Sequence, residues 1–518
     1  MNGRNHCAVY DFGLFPYALG DVLTWNVQTA IRCEELGRER MDTFICMDEH
    51  HPVNFYQRDL VTADNCELFF NELFGAFGTH PKLGNVFLYR RREKMLERLR
   101  EASRDDVGNS ESLANYERAL ERREDQAAMV EYFTKNIHSH EHINAYAAKH
   151  GKIPLLRPSM GCGPDVNGLV AKRFAGKRIV AIHVRLRRLD AGYGADHTYW
   201  RDSNFLEWFE FLVEAGKRHP EVQFVVVGRL QEKPLELLRL PNVISLRAFG
   251  LGLGHELSLM LRSDLFIGPS SGFAAMAYFS ELPYFMTNVN PAACRAFRIA
   301  PGSERLPFAT ERQILVYEPE TRELLMRLLA RGLEGGAPRG GAGRPVPNGT
   351  IDVRSWEWEQ SQWLHPGATT SRFFTDESYS DKETAFLVWP VVKEARAAWR
   401  KGLKDRAWTV LQRVETNFPR MCERFPEFLR LKARLAAERN ELDILRSCEA
   451  KLERLAIQEK GFAGFLRMLR RYLHRGFPLI MRLKRMWKWL GLLWRFRYRI
   501  PRKLVDILSG LTAGRSGS

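Results

Sequence analysis

Two unbroken apolar runs, Ile179–Ile182 and Val222–Val227, constrain the fold of this chain more than any other feature. A strand that is apolar at every position must be covered on both faces, as in a parallel sheet flanked by helices. Between them, Asn204–Lys217 carries Phe205, Trp208, Phe209 and Leu212 at helical spacing, so it reads as an amphipathic helix laid on that sheet. Val243–Leu246, Asp264–Ile267 and Pro283–Thr287 read as further strands, with helices at Glu256–Leu261 and Phe273–Phe279. This alternation predicts a doubly wound α/β domain with Arg178–Val184 as its first strand.

The N-terminal portion begins in the same way. Cys7–Phe12 is a short apolar strand, followed by a Gly/Pro loop, a helix over Val22–Leu36 with Asp21 as its N-cap, and a second strand at Thr43–Met47. Gly20 and Asp21 therefore sit at the first strand-to-helix turn, which either approaches a ligand with its N–H groups or simply caps the helix. Asp48, Glu49, His50 and His51 follow the second strand, but neighbours on an extended chain point to opposite faces, so no metal site is expected there. Asn85–Tyr89 is a third strand. From Arg91 to about Lys135, Glu and Arg recur three and four residues apart, the pattern of a solvated helix or insertion.

A chain of 518 residues exceeds what one core can hold, and two or three domains are expected. The reading is a Rossmann-like domain over 1–170, a second over 171–331, a Gly/Pro-rich linker and irregular segment over 332–380, a helical module over 381–460 and a tail over 461–518. In the helical module, Gly402–Ala407 with Leu411 and Pro419 resembles the middle of a tetratricopeptide hairpin.

The net charge of +16 is concentrated in the tail. Between Gly461 and Val505 there are thirteen Lys and Arg and no Asp or Glu, leaving +3 for the rest. Residues 465–503 interleave these cations with Leu, Met, Phe and Trp, which predicts a basic amphipathic segment on an anionic membrane surface and argues against nucleic acid as the partner. The eight cysteines are scattered, with no zinc-like spacing. No basic stretch followed by an apolar run opens the sequence, so the expectation is a cytoplasmic protein with reduced thiols, peripherally attached to the inner face of the membrane.

The segment Arg178–Asp190 places His183, Arg185, Arg187, Arg188 and Asp190 at and beyond the end of its strand. Ligands of open α/β sheets bind outside the carboxyl ends of the strands, and Arg can hold a phosphate through two parallel hydrogen bonds. Gly228-Arg229 ends the next strand. Ser270-Ser271-Gly272 opens a helix, where free N–H groups, two hydroxyls and a residue without Cβ would suit an anion. Taken singly, the serines could be caps and the arginines an ion-pair cluster with Asp190 and Asp196. Both motifs following strands of one domain favour a site.

The same residues resemble the fucosyltransferase superfamily of GT-B-type fold, which includes bacterial chitooligosaccharide and α-1,6-, α-1,2- and protein O-fucosyltransferases. Its hallmark is a strand ending in His-Val-Arg-Arg-x-Asp or a close variant. Here the run is His183-Val184-Arg185-Leu186-Arg187-Arg188-Leu189-Asp190, two residues longer, so either its first three residues or its last four are in register. Asp264–Tyr278 is similar to the family's second nucleotide-contacting segment, and the resemblance spans about 175–290. It implies a GT-B-like pair of domains, an inverting reaction without metal or cofactor, a GDP-sugar donor, typically GDP-fucose, and a glycan, lipid-linked or protein acceptor. Arg185, Arg187 and Arg188 would neutralise the leaving diphosphate. The general base would be Asp196, with His197 beside it, or Asp21 from the facing domain. Gly20, His183, Asp190, His197, Arg229, Ser270, Ser271 and Gly272 would surround the donor. The alternatives are a GT-B transferase using another nucleotide-sugar, such as a heptosyltransferase-like protein, and a non-enzymatic membrane-associated scaffold.

Overall fold

A computed structural model describes residues 5–54, 57, 61–63, 66–137, 140–185, 201–229, 233, 235–334, 346–347, 353–355, 392, 394–417, 422–423 and 425–455. The chain divides into two units, 1–375 and 376–518. The first unit holds two parallel sheets. In the first sheet, β1 (His6–Asp11), β2 (Met41–Cys46) and β3 (Leu83–Tyr89) lie side by side in that order, and β10 (Val353–Ser355) pairs with β3. The second runs β6 (Val243–Ile244), β5 (Val222–Val226), β4 (Arg178–Ile182), β7 (Leu265–Pro269), β8 (Tyr284–Thr287), β9 (Gln313–Leu315), all parallel. The α/β class and the pair of Rossmann-like sheets expected from the apolar strands are thus present.

Helices cover both sheets: α1 (Leu19–Glu35), α2 (Cys66–Phe77), α3 (Arg92–Ser103), α4 (Val107–Glu121), α5 (Gln126–Asn136), α6 (His140–His150) and α7 (Gly163–Arg173) precede β4. Then come α8 (Phe205–Arg218), α9 (Leu235–Leu238), α10 (Leu253–Met260), α11 (Gly272–Tyr278), α12 (Pro291–Phe297) and α13 (Arg322–Leu333). On α8, Phe205, Trp208, Phe211 and Leu212 are buried, while Phe209 is only half-buried.

Four local readings differ from the structure. Helix α1 starts at Leu19, with Ala18 as an extended N-cap, so Asp21 is not the cap but an acid in the first turn, where the helix dipole favours it. The charged stretch after Arg91 is three helices rather than one solvated arm, and it packs on β1. Asn109 of α4 accepts from the Cys7 backbone and meets His6, and the Tyr116 hydroxyl donates to Asp11 at 2.6 Å. Their charged faces hid the few inward residues that matter. Helix α7 ends at Arg173, past the expected division at 170. Finally, the stretch read as linker over 332–380 contributes β10, with Val353 beside Val86, so the chain returns to its first sheet after building the second. A strand of three residues leaves no readable period.

The two sheets share one buried core. Segment 156–160 is hydrogen-bonded to both sides: Leu156 N to Phe279 O, Arg157 N to Thr79 O, and Ser159 Oγ to Gly75 O while its N–H goes to Ser258 Oγ. In the second unit, helices Lys404–Asn417 and Pro426–Glu438 pack together through Ala407, Leu411, Phe428 and Leu435. No helix among the described residues is long and apolar enough to cross a membrane. The tail over 461–518 lies outside the described residues.

Candidate functional site

Numbered along its own chain, the second sheet has the order 3-2-1-4-5-6. The chain moves one way from β4 to β5 and returns to the other side of β4 at β7, so the crevice between the carboxyl ends of β4 and β7 is the topological switch point. His183 follows β4 and Ser271 follows β7, and His183 Nδ1 lies 2.8 Å from Ser271 Oγ across that crevice. Ser271 is also the N-cap of α11, accepting from Ala274 N at 3.4 Å. A hydroxyl that accepts there is best satisfied by giving its own proton to Nδ1, which assigns the imidazole proton to Nε2.

The His183 ring packs on Phe273 at 5.1 Å. Beyond Nε2 lies the Gly228 turn, whose φ of +110° admits glycine. A Cβ there would stand 2.8 Å from Lys233 Nζ and 3.6 Å from His183 Nε2. Burial, then the nearby Lys233 and Arg185 cations, push the His183 pKa well below its usual 6.5. A neutral histidine so placed orients Ser271 and is not poised to exchange a proton near neutral pH.

That shift has a thermodynamic sign. The unfolded chain takes up a proton below about pH 6.5 and the folded one does not, so the stability is present above that pH and is lost as pH falls. At pH 5 the loss is about 2 kcal/mol relative to pH 7.5. The difference in urea midpoint stability between wild type and His183→Gln should therefore shrink by that amount between pH 7.5 and pH 5. An unchanged difference would show that His183 takes up its proton in the fold as it does in the unfolded chain, so that its pKa is not depressed.

Arg185 is held to the segment that precedes α8. Its Nη1 donates to Asp202 at 2.8 Å, its backbone N–H donates to Ser203 Oγ at 3.1 Å, and its carbonyl accepts from Ser203 N at 2.8 Å. Among the described residues its ion-pair partner is Asp202; Asp190 and Asp196, expected from the sequence, lie outside them. Arg201, one residue earlier, donates from Nη1 to the Ser270 carbonyl at 3.3 Å. On the far side, Asn288 Nδ2 donates to the Asp202 carbonyl at 3.3 Å. The buried Glu320 carboxylate accepts from Asn204 N at 3.1 Å and from Thr287 Oγ1 at 2.5 Å. Arg187, Arg188, Asp190, Asp196 and His197 lie outside the described residues.

The first sheet's helix α1 meets this place directly. A Cβ on Gly272 would lie 3.0 Å from Gly20 N, and one on Gly20 would lie 3.3 Å from Gly272 Cα. These two glycines, candidates from the sequence for a ligand contact, let the first turns of α1 and α11 touch. Farther along, Thr24 of α1 is hydrogen-bonded to Tyr278 of α11. Asp21 is thereby brought beside the switch point, and the Tyr278 hydroxyl feels both the Asp21 carboxylate and the Arg201 guanidinium.

Other residues named from sequence are elsewhere. Arg229 lies over the Phe69 ring of α2, 5.0 Å from its centroid, as part of the packing between the two sheets. Asp48 is buried and accepts from His50 N, His51 N and Arg92 N. Although burial pushes its pKa up, Arg92 and these N–H groups outweigh it and lower the pKa. Arg92 also forks onto Asp11 at 2.6 and 3.0 Å. Among the described residues no cluster of three His, Cys, Asp or Glu could hold a metal ion. An open cavity of about 600 Å³ lined by Leu36, Arg38, Asp106 and Glu111 sits at the far end of α1. By the helical rise that is about 25 Å from Gly20, so it is unconnected with this site.

Sequence reading missed Arg201, Asp202, Lys233 and the buried trio Glu72, Arg247 and Glu256. Arg247 Nε donates to Glu256 at 2.9 Å and its Nη1 pairs with Glu72, while Glu256 accepts from Gly228 N at 3.1 Å. The one available signal was Arg201-Asp202 immediately before a helix on the same domain.

No protein-family model matches the chain, and no curated protein matches it. Among solved structures, it is similar to a protein assigned as a UDP-N-acetylglucosamine 2-epimerase from Listeria monocytogenes, at 11% identity over 67% of this chain and 93% of that one, with a TM-score of 0.27. It is also similar to E. coli heptosyltransferase WaaC with ADP-2-deoxy-2-fluoro heptose, at 11% identity over 63% and 99%, TM-score 0.29. A third is a trehalose 6-phosphate synthase from Burkholderia multivorans, at 12% identity over 62% and 70%, TM-score 0.21. Likeness at these scores carries no argument about this chain, whose fold class rests on its own two parallel sheets.

Proposed function

We propose that the two α/β domains form a GT-B-type glycosyltransferase that moves a sugar from a nucleoside diphosphate sugar to an acceptor hydroxyl. The observation that carries this reading is the meeting of Asp21, from the first domain, with the His183–Ser271 switch point of the second. In the reaction, Asp21 takes the proton of the acceptor hydroxyl as its oxygen bonds to the anomeric carbon. The bond from that carbon to the phosphate oxygen breaks, the electron pair leaves with the diphosphate, and the cations at the strand ends stabilise that charge. The resemblance of His183–Asp190 to the fucosyltransferase superfamily supports a GDP-sugar such as GDP-fucose, inversion and a metal-independent reaction. The acceptor is a glycan, a lipid-linked sugar or a protein.

A thermal-shift titration with GDP, UDP, CDP and ADP, followed by assay of nucleotide release from the matching sugar donors, tests the reading. A ligand at 100 times its Kd adds about 2.7 kcal/mol of apparent stability. Selective stabilisation by GDP supports the fucosyltransferase-like donor, and selection of another nucleotide moves the protein to a different transferase class. No response from any nucleotide would make it a scaffold.

Residues 465–503 would hold the enzyme at the inner face of the membrane through anionic headgroups. Full-length protein should sediment with phosphatidylserine vesicles, and a variant ending at 460 should not, with nucleotide stabilisation retained. Equal sedimentation of both would remove the tail from this role.

A further inference from the structure

We propose that Thr24 is a positioning residue for the transfer: it ties the first turn of α1, which carries Asp21, to Tyr278 of the second domain. This deepens the transferase reading above and rests on it. Helix α1 opens without a side-chain cap, since its N-cap is Ala18, so no side chain there satisfies the free N–H groups of its first turn. Gly20 and Gly272 bring the first turns of α1 and α11 together but carry no side chain to fix them. Thr24 supplies one. It is buried, at 4% exposure, and its Oγ1 donates to Gly20 O at 2.8 Å. A bond back to the carbonyl four residues earlier is an ordinary habit of threonine in helices. What sets Thr24 apart is a second bond, across the domain boundary, to the Tyr278 hydroxyl.

Counting protons gives these bonds a direction. A carbonyl cannot donate, so the single Thr24 proton goes to Gly20 O, and the Thr24 oxygen accepts the proton of Tyr278. Burial raises the Tyr278 pKa above its usual 10, so that proton is there to give at neutral pH. The phenol ring is itself held in place. Phe297 meets it edge-on at 5.4 Å and Phe279 at 4.5 Å, and His140 of α6 stands 6.2 Å away. A fixed donor in the second domain thus reaches, through one hydroxyl, the carbonyl of the residue before Asp21. Turning α1 about its axis, or sliding it along α11, breaks this chain. The chain therefore sets where Asp21 stands relative to the loop after β7. A reacting group displaced by about 1 Å can lose about 10²-fold in rate, whereas the donor's site at the strand ends of the second sheet does not pass through Thr24.

The test is the rate of nucleotide release from GDP-fucose, UDP-glucose and ADP-glucose, with water as acceptor, in full-length wild type and variants. Thr24→Val keeps the shape of the side chain and loses the hydroxyl. It and Tyr278→Phe should each lower kcat roughly 10- to 100-fold with the donor KM unchanged, and Thr24→Ser, which keeps the hydroxyl, should stay close to wild type. In the Asp21→Asn background Thr24→Val should cost nothing more, because the group it positions is gone. A threonine that only steadies the fold would cost the same in both backgrounds. The assignment is wrong if Thr24→Val keeps kcat within about twofold of wild type, if its loss adds in full to that of Asp21→Asn, or if Thr24→Ser loses as much as Thr24→Val. In those cases the transferase reading stands wherever Asp21→Asn itself is slow. If Asp21→Asn releases nucleotide as wild type does, Asp21 is not the base. If wild type releases none from any of the three donors, the transferase reading fails. Either of these last two results takes the assignment of Thr24 with it.

Discussion

Asp21→Asn should lower kcat for sugar transfer by about 10²- to 10⁴-fold, the range in which a positioned general base contributes, and should leave nucleotide stabilisation unchanged. The substitution keeps the size of the side chain and removes the basic oxygen. Its structural effect is limited to the loss of a favourable acid in the first turn of α1, about 0.3–1 kcal/mol. The assignment comes from geometry: Gly20 touches Gly272, so the residue after Gly20 stands beside the loop that follows β7. Asp196 is the competing base from sequence. Steady-state kinetics of Asp21→Asn and Asp196→Asn, measured side by side with the preferred donor, separate the two. A kcat within tenfold of wild type for Asp21→Asn would remove Asp21 from the chemistry. Loss of nucleotide binding in the same variant would show that it supports the donor instead.

What the sequence made legible follows from the range of the interactions. The strands of the second sheet were readable because burial on both faces forces every residue to be apolar, as in Val222–Val226. His183 and Ser271 could be brought together in advance because strand ends in such a sheet gather at one edge. Gly20 and Gly272 were visible as special, yet their use was not. A glycine at a helix start can admit a ligand or another helix, and only the tertiary arrangement shows that α1 and α11 meet at these two positions. Arg185 is a similar case, since its ion partner Asp202 is 17 residues away in sequence. The Glu72–Arg247–Glu256 trio leaves no pattern at all, because its members come from α2, from the 3₁₀ turn Leu246–Phe249 and from α10.

That trio leads to the second large effect, on stability. Arg247→Met should destabilise the protein by about 3–5 kcal/mol, because two carboxylates would be left buried without their cation. Burial works against the Arg247 cation, but Glu256 and Glu72 outweigh it and raise its pKa. Burial likewise pushes the Glu256 carboxyl up to about 7, against the downward pull of Arg247 and Lys233. Without Arg247 that pull weakens and the Glu256 pKa rises further. A carboxyl whose folded pKa lies above its unfolded value near 4.3 contributes stability that is complete at low pH and is lost as pH rises through the folded pKa. The deficit of Arg247→Met should therefore be larger at pH 8 than at pH 5, and adding Glu72→Gln and Glu256→Gln should recover much of it. Urea unfolding of the three proteins at both pH values checks this, and a deficit under about 1 kcal/mol, or one independent of pH, would contradict it. The consequence extends to the site: Glu72 belongs to the first domain and Glu256 holds the Gly228 turn of the second. The same trio that joins the sheets thus sets the turn against which His183 and Lys233 are packed, so Arg247→Met should also weaken nucleotide binding from a position that touches no ligand.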